Sequence, residues 1–149
     1  MQVTKFSDYA LRLLIHLAVT PEQRQSVRQI ADNHDISFNH LSKVAQWLAT
    51  EGYVKAVRGR GGGMTLGRSA EEISIGALLR KSESGSALVE CMRDDGGACR
   101  LTPACGLAPF LSRAQEAFFA ALDDTTLADV VAGHPGMRNL VAALSQPAV

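Results

Sequence analysis

Cys91, Cys99 and Cys105 are the residues of this 149-residue chain whose type and spacing point most directly to chemistry. They follow the pattern Cys-x7-Cys-x5-Cys, all within one short stretch. An odd number of clustered thiols is a poor disulfide framework and points to a metal or to redox chemistry. Structural zinc sites favour close Cys-x2-Cys pairs and four ligands. Here there is no such pair, and no histidine lies between Leu66 and Ala132. Three thiolates with one position left over suit an iron-sulfur cluster whose last ligand is a carboxylate, water or an incoming molecule. On spacing alone, zinc and inert thiols stay open as alternatives.

A second pattern lies upstream. Leu41, Val44, Ala45 and Leu48 recur at helical spacing, and the opposite face carries Ser37, Asn39, His40, Ser42, Lys43 and Gln46, short polar groups of the kind that reach base edges in a major groove. Immediately after it, Lys55, Arg58, Arg60 and Arg68 surround a glycine run in which Gly61 and Gly62 leave the backbone bare for a phosphate or a minor groove. A solvated surface helix is the bland reading of the first feature alone; the adjoining basic hairpin favours DNA. The zero net charge supports this when divided: positions 1–68 hold nine Lys or Arg against five acids, and the remainder six against ten.

These groups require positioning elements. Phe6, Tyr9, Ala10, Leu13, Leu14 and Leu17 predict a first helix ending before Pro21. Ser26 can cap a short second helix through Ala31, and Ser37 a third that closes at Gly52. Alternation from Tyr53 to Arg58, then Met64 to Leu66, reads as a hairpin. Ser74 can cap a fourth helix through Leu79, and a loop runs from Lys81 to Cys105. Past it, Pro109 opens a helix whose stripe of Phe110, Ala114, Ala117, Phe118, Ala121 and Leu122 suits pairing with its copy in a second subunit, making a homodimer. Thr126 and Asp129 form a capping pair, and the tail beyond Gly133 is weakly patterned.

The fold class is therefore mainly α with a small β-wing: a winged helix-turn-helix domain over 1–80, a candidate iron-sulfur cluster loop over 81–106, and a long dimerisation helix with a tail over 107–149. No signal peptide or run of about 18 apolar residues occurs, so a cytoplasmic protein without membrane attachment is expected. The glycine run lacks a following Gly-Lys-Ser/Thr, and Met64 stands where a dinucleotide motif needs its third glycine, which argues against a nucleotide-binding loop. His16, His34, His40 and His134 lie in segments with other roles, so no enzyme is expected.

The stretches Met1 to Arg12, Asn39-His40-Leu41-Ser42-Lys43-Val44, Gly52-Tyr53-Val54 and Arg58-Gly59-Arg60-Gly61-Gly62-Gly63 resemble the Rrf2 family of winged-helix repressors. Cys99 to Leu107, with Leu122-Asp123 and Thr126 to Asp129, resembles its nitric-oxide-sensing branch. The resemblance runs from position 1 to about 132. It implies a homodimer carrying an iron-sulfur cluster, 4Fe-4S ahead of 2Fe-2S, that binds a palindromic double-stranded operator and is switched by nitric oxide. It also implies Asp8 of the partner subunit as the remaining ligand, with Glu90, Asp94, Asp95 or water as alternatives. Asp8 has a simpler reading as well, as an acid at a helix N-terminus favoured by the macrodipole. The gap between the first two cysteines is longer than the family's, with Asp94-Asp95-Gly96-Gly97 as the extra residues. Another branch carries a histidine three positions past the last cysteine, where this chain has Ala108, which favours the nitric-oxide branch. A same-fold sensor of iron, cluster supply or redox state is the alternative.

Overall fold

A computed structural model describes residues 2–57, 59 and 61–145. Helix α1 (Lys5–Val19) starts where the Thr4 hydroxyl accepts the Ser7 N–H, and it buries Ala10, Leu13, Leu14 and Leu17 along one stripe. Helix α2 (Val27–Asn33) opens with a reciprocal capping box between Ser26 and Gln29. The turn to α3 passes through Asp35 at φ 51°, a left-handed conformation that a short polar side chain tolerates. Helix α3 (Phe38–Thr50) then lays Leu41, Val44, Ala45 and Leu48 into the core. Ser37 occupies its N-cap position, but the hydroxyl makes no capping bond, contrary to the sequence expectation.

Strands β1 (Val54–Val57) and β2 (Gly63–Leu66) pair antiparallel, with Val54 opposite Leu66. The hairpin is wider than the sequence suggests, because Gln25 bridges Met64 on the outer side of β2. One residue of pairing is too short to leave a two-residue period, so it could not be read beforehand. Helix α4 (Ile75–Ser82) runs past the expected end at Leu79. The long loop contains two single 3₁₀ turns, Glu90–Met92 and Thr102–Ala104. Helix α5 (Ala108–Ala120) has its proline in the first turn, and α6 (Leu127–Ala132) has the Thr126/Asp129 capping box. Helix α7 (Met137–Leu144) was not legible in the tail; it buries only Val141.

One core joins α1 to α4 with Phe119 of α5 and Leu127 of α6. The α5–α6 turn docks on the start of α4: Ile75 N–H donates to the Thr125 carbonyl and Gly76 N–H to that of Leu122. The approach demands glycine, since a Cβ at Gly76 would come within 2.7 Å of the Asp123 nitrogen and the Phe119 oxygen. No helix among the described residues is long and apolar enough to cross a membrane.

Two histidines meet beneath the helix-turn-helix. His16 is fully buried, and its Nδ1 lies 3.1 Å from Nε2 of His34 at the end of α2. Its own Nε2 has no partner among the described residues. Burial, and then the neighbouring His34, push the His16 pKa down to about 4; burial, and then Arg12, lower that of His34. Both rings are therefore neutral in the folded protein at pH 7. The unfolded chain takes up protons on these residues below about pH 6.5 while the folded one resists, so stability falls as pH drops from there toward 4. Denaturant melts are expected to lose roughly 2 to 3 kcal/mol across that window from His16, and the His16→Leu variant is expected to flatten the loss.

Candidate nucleic-acid interface and cysteine loop

Helix α3 separates its two faces cleanly. With the inner residues in the core, Ser37, Asn39, His40, Lys43 and Gln46 are exposed and Ser42 is half-buried. Thirteen residues make a rod about 20 Å long, a size that a major groove accepts.

Gly61 is exposed and Gly62 half-buried at the tip of the hairpin. Gly62 N–H donates to the Gly59 carbonyl at 2.9 Å, with Gly59 and Gly61 at φ 101° and 78°. Arg58 and Arg60, expected to contact DNA, lie outside the described residues. Arg68 has a different job from the one the sequence suggested. Its Nη2 donates to the Glu51 carbonyl at 2.7 Å and its Nε to that of Gly52, and the guanidinium stacks 4.4 Å over the Tyr53 ring. It caps the C-terminal end of α3, where carbonyls lack helical partners and the dipole favours a cation.

The three cysteines are free and partly exposed. Cys91 lies in the first 3₁₀ turn and Cys105 ends the second, while the Cys99 carbonyl accepts from the Thr102 N–H and hydroxyl. The loop is held together by its own acids. Glu90 accepts the Ala98 N–H at 3.0 Å; Asp95 accepts that of Gly97 and pairs with Arg93 at 2.8 Å. Asp94 lines a cleft of about 490 Å³ between the loop, α4 and α5. Asp8 pairs with Arg12 at 2.8 Å on its own helix. Among the described residues of one chain, no three Cys, His, Asp or Glu side chains are gathered closely enough to hold a metal ion. The donor chemistry nevertheless fits an iron-sulfur cluster: three unpaired soft thiols stand in a segment with little regular structure, which must draw them together to ligate.

The loop is joined to the rest through the last turn of α4. Arg80 forms an ion pair with Glu116 of α5 and another with Asp123 at 2.7 Å. Lys81 pairs at 2.6 Å with Glu51, just past the end of α3. Ser82 accepts the Ser7 hydroxyl at 2.7 Å, and Glu83 accepts the N–H and hydroxyl of Thr4 at 2.9 and 2.8 Å. Burial alone would raise the Glu83 carboxyl, but the hydrogen bonds it accepts, those from Thr4 among them, outweigh it and hold the group ionised below its ordinary range. The outer side of α5 is left bare: Phe110 is 61% exposed, Ala114 and Ala117 are exposed, and Leu107 just before the helix is 58% exposed.

An exposed polar recognition helix beside a hairpin wing, on a helical body, defines a winged-helix DNA-binding regulator. Residues 3–133 match the Rrf2 family, described as an iron-dependent transcriptional regulator. The HTH-type transcriptional regulator NsrR of Bacillus subtilis (strain 168) is 42% identical over 142 residues, covering 95% of this chain and 97% of its own. That of Shouchella clausii (strain KSM-K16) is 39% identical over the same length, with 95% of both chains covered. The solved structure of CymR, the global cysteine regulator of B. subtilis, superposes with a TM-score of 0.69 at 27% identity, covering 90% of this chain and 98% of that one. The chain belongs to the Rrf2 family of transcriptional regulators, and within it the similarity is to NsrR-type members. It is a regulator and not an enzyme.

Because Arg68 is engaged by the carbonyls at the end of α3, Arg68→Ala is expected to cost about 1 to 2 kcal/mol in denaturant melts. The salt dependence of DNA binding by that variant is expected to match the wild type, which filter binding over a range of NaCl concentrations checks.

Proposed function

We propose that this regulator is a cytoplasmic homodimeric repressor that binds a double-stranded operator and releases it in response to nitric oxide, sensed at an iron-sulfur cluster held by Cys91, Cys99 and Cys105. The observation that carries the reading is the grouping of three free thiols in a single loop whose entry strap, Arg80 to Glu83, is bonded to α1, α3 and α5. The similarity to NsrR-type members supports the choice of branch. When bound, the cluster supplies iron on which nitric oxide can displace ligands. The remaining ligand in this reading is Asp8 of the partner subunit; to serve, the carboxylate gives up Arg12.

The chain's own residues do the rest. Residues 1–80 read DNA through Ser37, Asn39, His40, Ser42, Lys43, Gln46, Gly61 and Gly62, joined by Arg58 and Arg60. Residues 81–106 hold the cluster. The bare face of α5, within 107–149, pairs the subunits and sets the spacing of the two recognition helices. Glu83 fixes the N-terminus of α1 through Thr4, and Lys81 fixes the end of α3 through Glu51. A change in the loop's shape therefore reaches the recognition helix through bonded contacts. A differential of about 1 to 3 kcal/mol between the two states lowers DNA affinity roughly 5- to 150-fold. A sensor of iron supply on the same fold is the second reading, which the family's description as iron-dependent favours.

Cys99→Ala is expected to give a folded dimer without visible thiolate-to-iron absorption, whose DNA binding ignores nitric oxide. Lys43→Ala is expected to keep the absorption and lose DNA affinity. Paired absorption and gel-shift measurements check both, and exchanged phenotypes would overturn this division of labour.

A further inference from the structure

Arg24 and Arg28 lie outside the recognition helix and the wing, yet both sit against them. Arg24 is in the α1–α2 connection, whose backbone is tied to the outer side of β2 by a single bridge at Gln25. Gln25 and Met64 exchange both backbone hydrogen bonds, at 3.2 and 2.8 Å, and the Gln25 residue is buried. The approach is close: a Cβ at Gly63 would come within 3.1 Å of the Arg24 carbonyl carbon and Cβ and of the Gln25 nitrogen. The Arg24 side chain remains exposed, with Nη1 3.5 Å from the Gly61 carbonyl at the wing tip.

Arg28 is equally well held. It lies in the first turn of α2, which the Ser26/Gln29 capping box pins, and its guanidinium stacks 4.1 Å over the ring of Phe38, the first residue of α3. Among the described residues neither arginine pairs with a carboxylate, whereas Arg12, Arg80 and Arg93 all do. An unpaired guanidinium on a fixed backbone presents a planar fork that matches a phosphate. One such group flanks the wing tip and the other the N-terminal end of α3, the two places where a groove-reading surface meets the DNA backbone.

We infer that Arg24 and Arg28 are phosphate contacts, forming a third strip of the DNA interface contributed by the α1–α2 connection and the start of α2. Their role is to set register and affinity, leaving sequence discrimination to α3. The inference rests on the DNA-binding reading, whose own failure would appear as a wild type that selects no DNA and would overturn both.

The test uses the full chain, purified without oxygen. A duplex selected by the wild type from random-sequence DNA and an unrelated duplex of equal length are titrated at several NaCl concentrations. Arg24→Gln and Arg28→Gln are each expected to weaken binding several-fold, by the same factor on both duplexes. The slope of log affinity against log salt is expected to fall by about one per contact removed. Arg24→Lys and Arg28→Lys, which keep the charge but lose the planar fork, are expected to keep the wild-type salt slope and to bind between wild type and the Gln variants, and all four variants to melt with the wild type. Unchanged affinity and slope would overturn the inference, as would a loss confined to the selected duplex. Equal losses in the Lys and Gln variants would do the same, because they would mark the arginines as supports of the fold.

Discussion

The constraint on which the rest of the molecule depends is the burial of one ionised carboxylate, Glu83, against the N-terminus of α1. A buried charge is costly unless its oxygen accepts hydrogen bonds, and Thr4 supplies two from a single residue. The same threonine caps α1 with its hydroxyl, so the start of the first helix and the end of the fourth are one structure. The preceding residues extend the tie: Ser82 to Ser7, Lys81 to the end of α3, Arg80 to α5. Four consecutive side chains thus bind three helices at the point where the chain leaves for the cysteine loop. The surface pairs among them contribute little energy singly, and their value here is geometric.

That geometry explains the uneven charge of the sequence. The basic first half presents an exposed polar helix and a glycine-rich wing, with free arginines at both ends of the surface. The acidic second half spends its carboxylates on structure: Glu90 and Asp95 shape the loop, Glu116 and Asp123 hold Arg80, and Asp129 caps α6. Little of that acidity is left to face a polyanion, and the bare surface of α5 is apolar. One half is built for DNA and the other for a loop and the contacts that hold it.

Much of the fold was legible because it rests on local signals. Ser26, Ser74 and Thr126 cap the helices expected of them, the stripe of α1 stops before Pro21, and Gly52 takes the left-handed conformation after α3. What escaped depended on tertiary contacts. The bridge to β2 is one residue of pairing at Gln25, and α7 buries a single side chain. Arg68 looked like a wing cation because only the fold brings it under the carbonyls of Glu51 and Gly52. His16 and His34, eighteen positions apart in sequence, gave no sign that their rings would touch. The site was legible as residue types, three thiols and a polar helix face; the strap that joins them was not, since the fourth helix was expected to end at Leu79 and Lys81 onward read as loop.

The central claim, that the cysteine loop governs the DNA-binding face, is tested most directly by titrating the anaerobically purified protein with nitric oxide while following visible absorption and operator binding in the same samples. The account predicts that a thiolate-to-iron band disappears in step with the loss of DNA binding. A protein that binds DNA with the same affinity before and after the band is gone would contradict it.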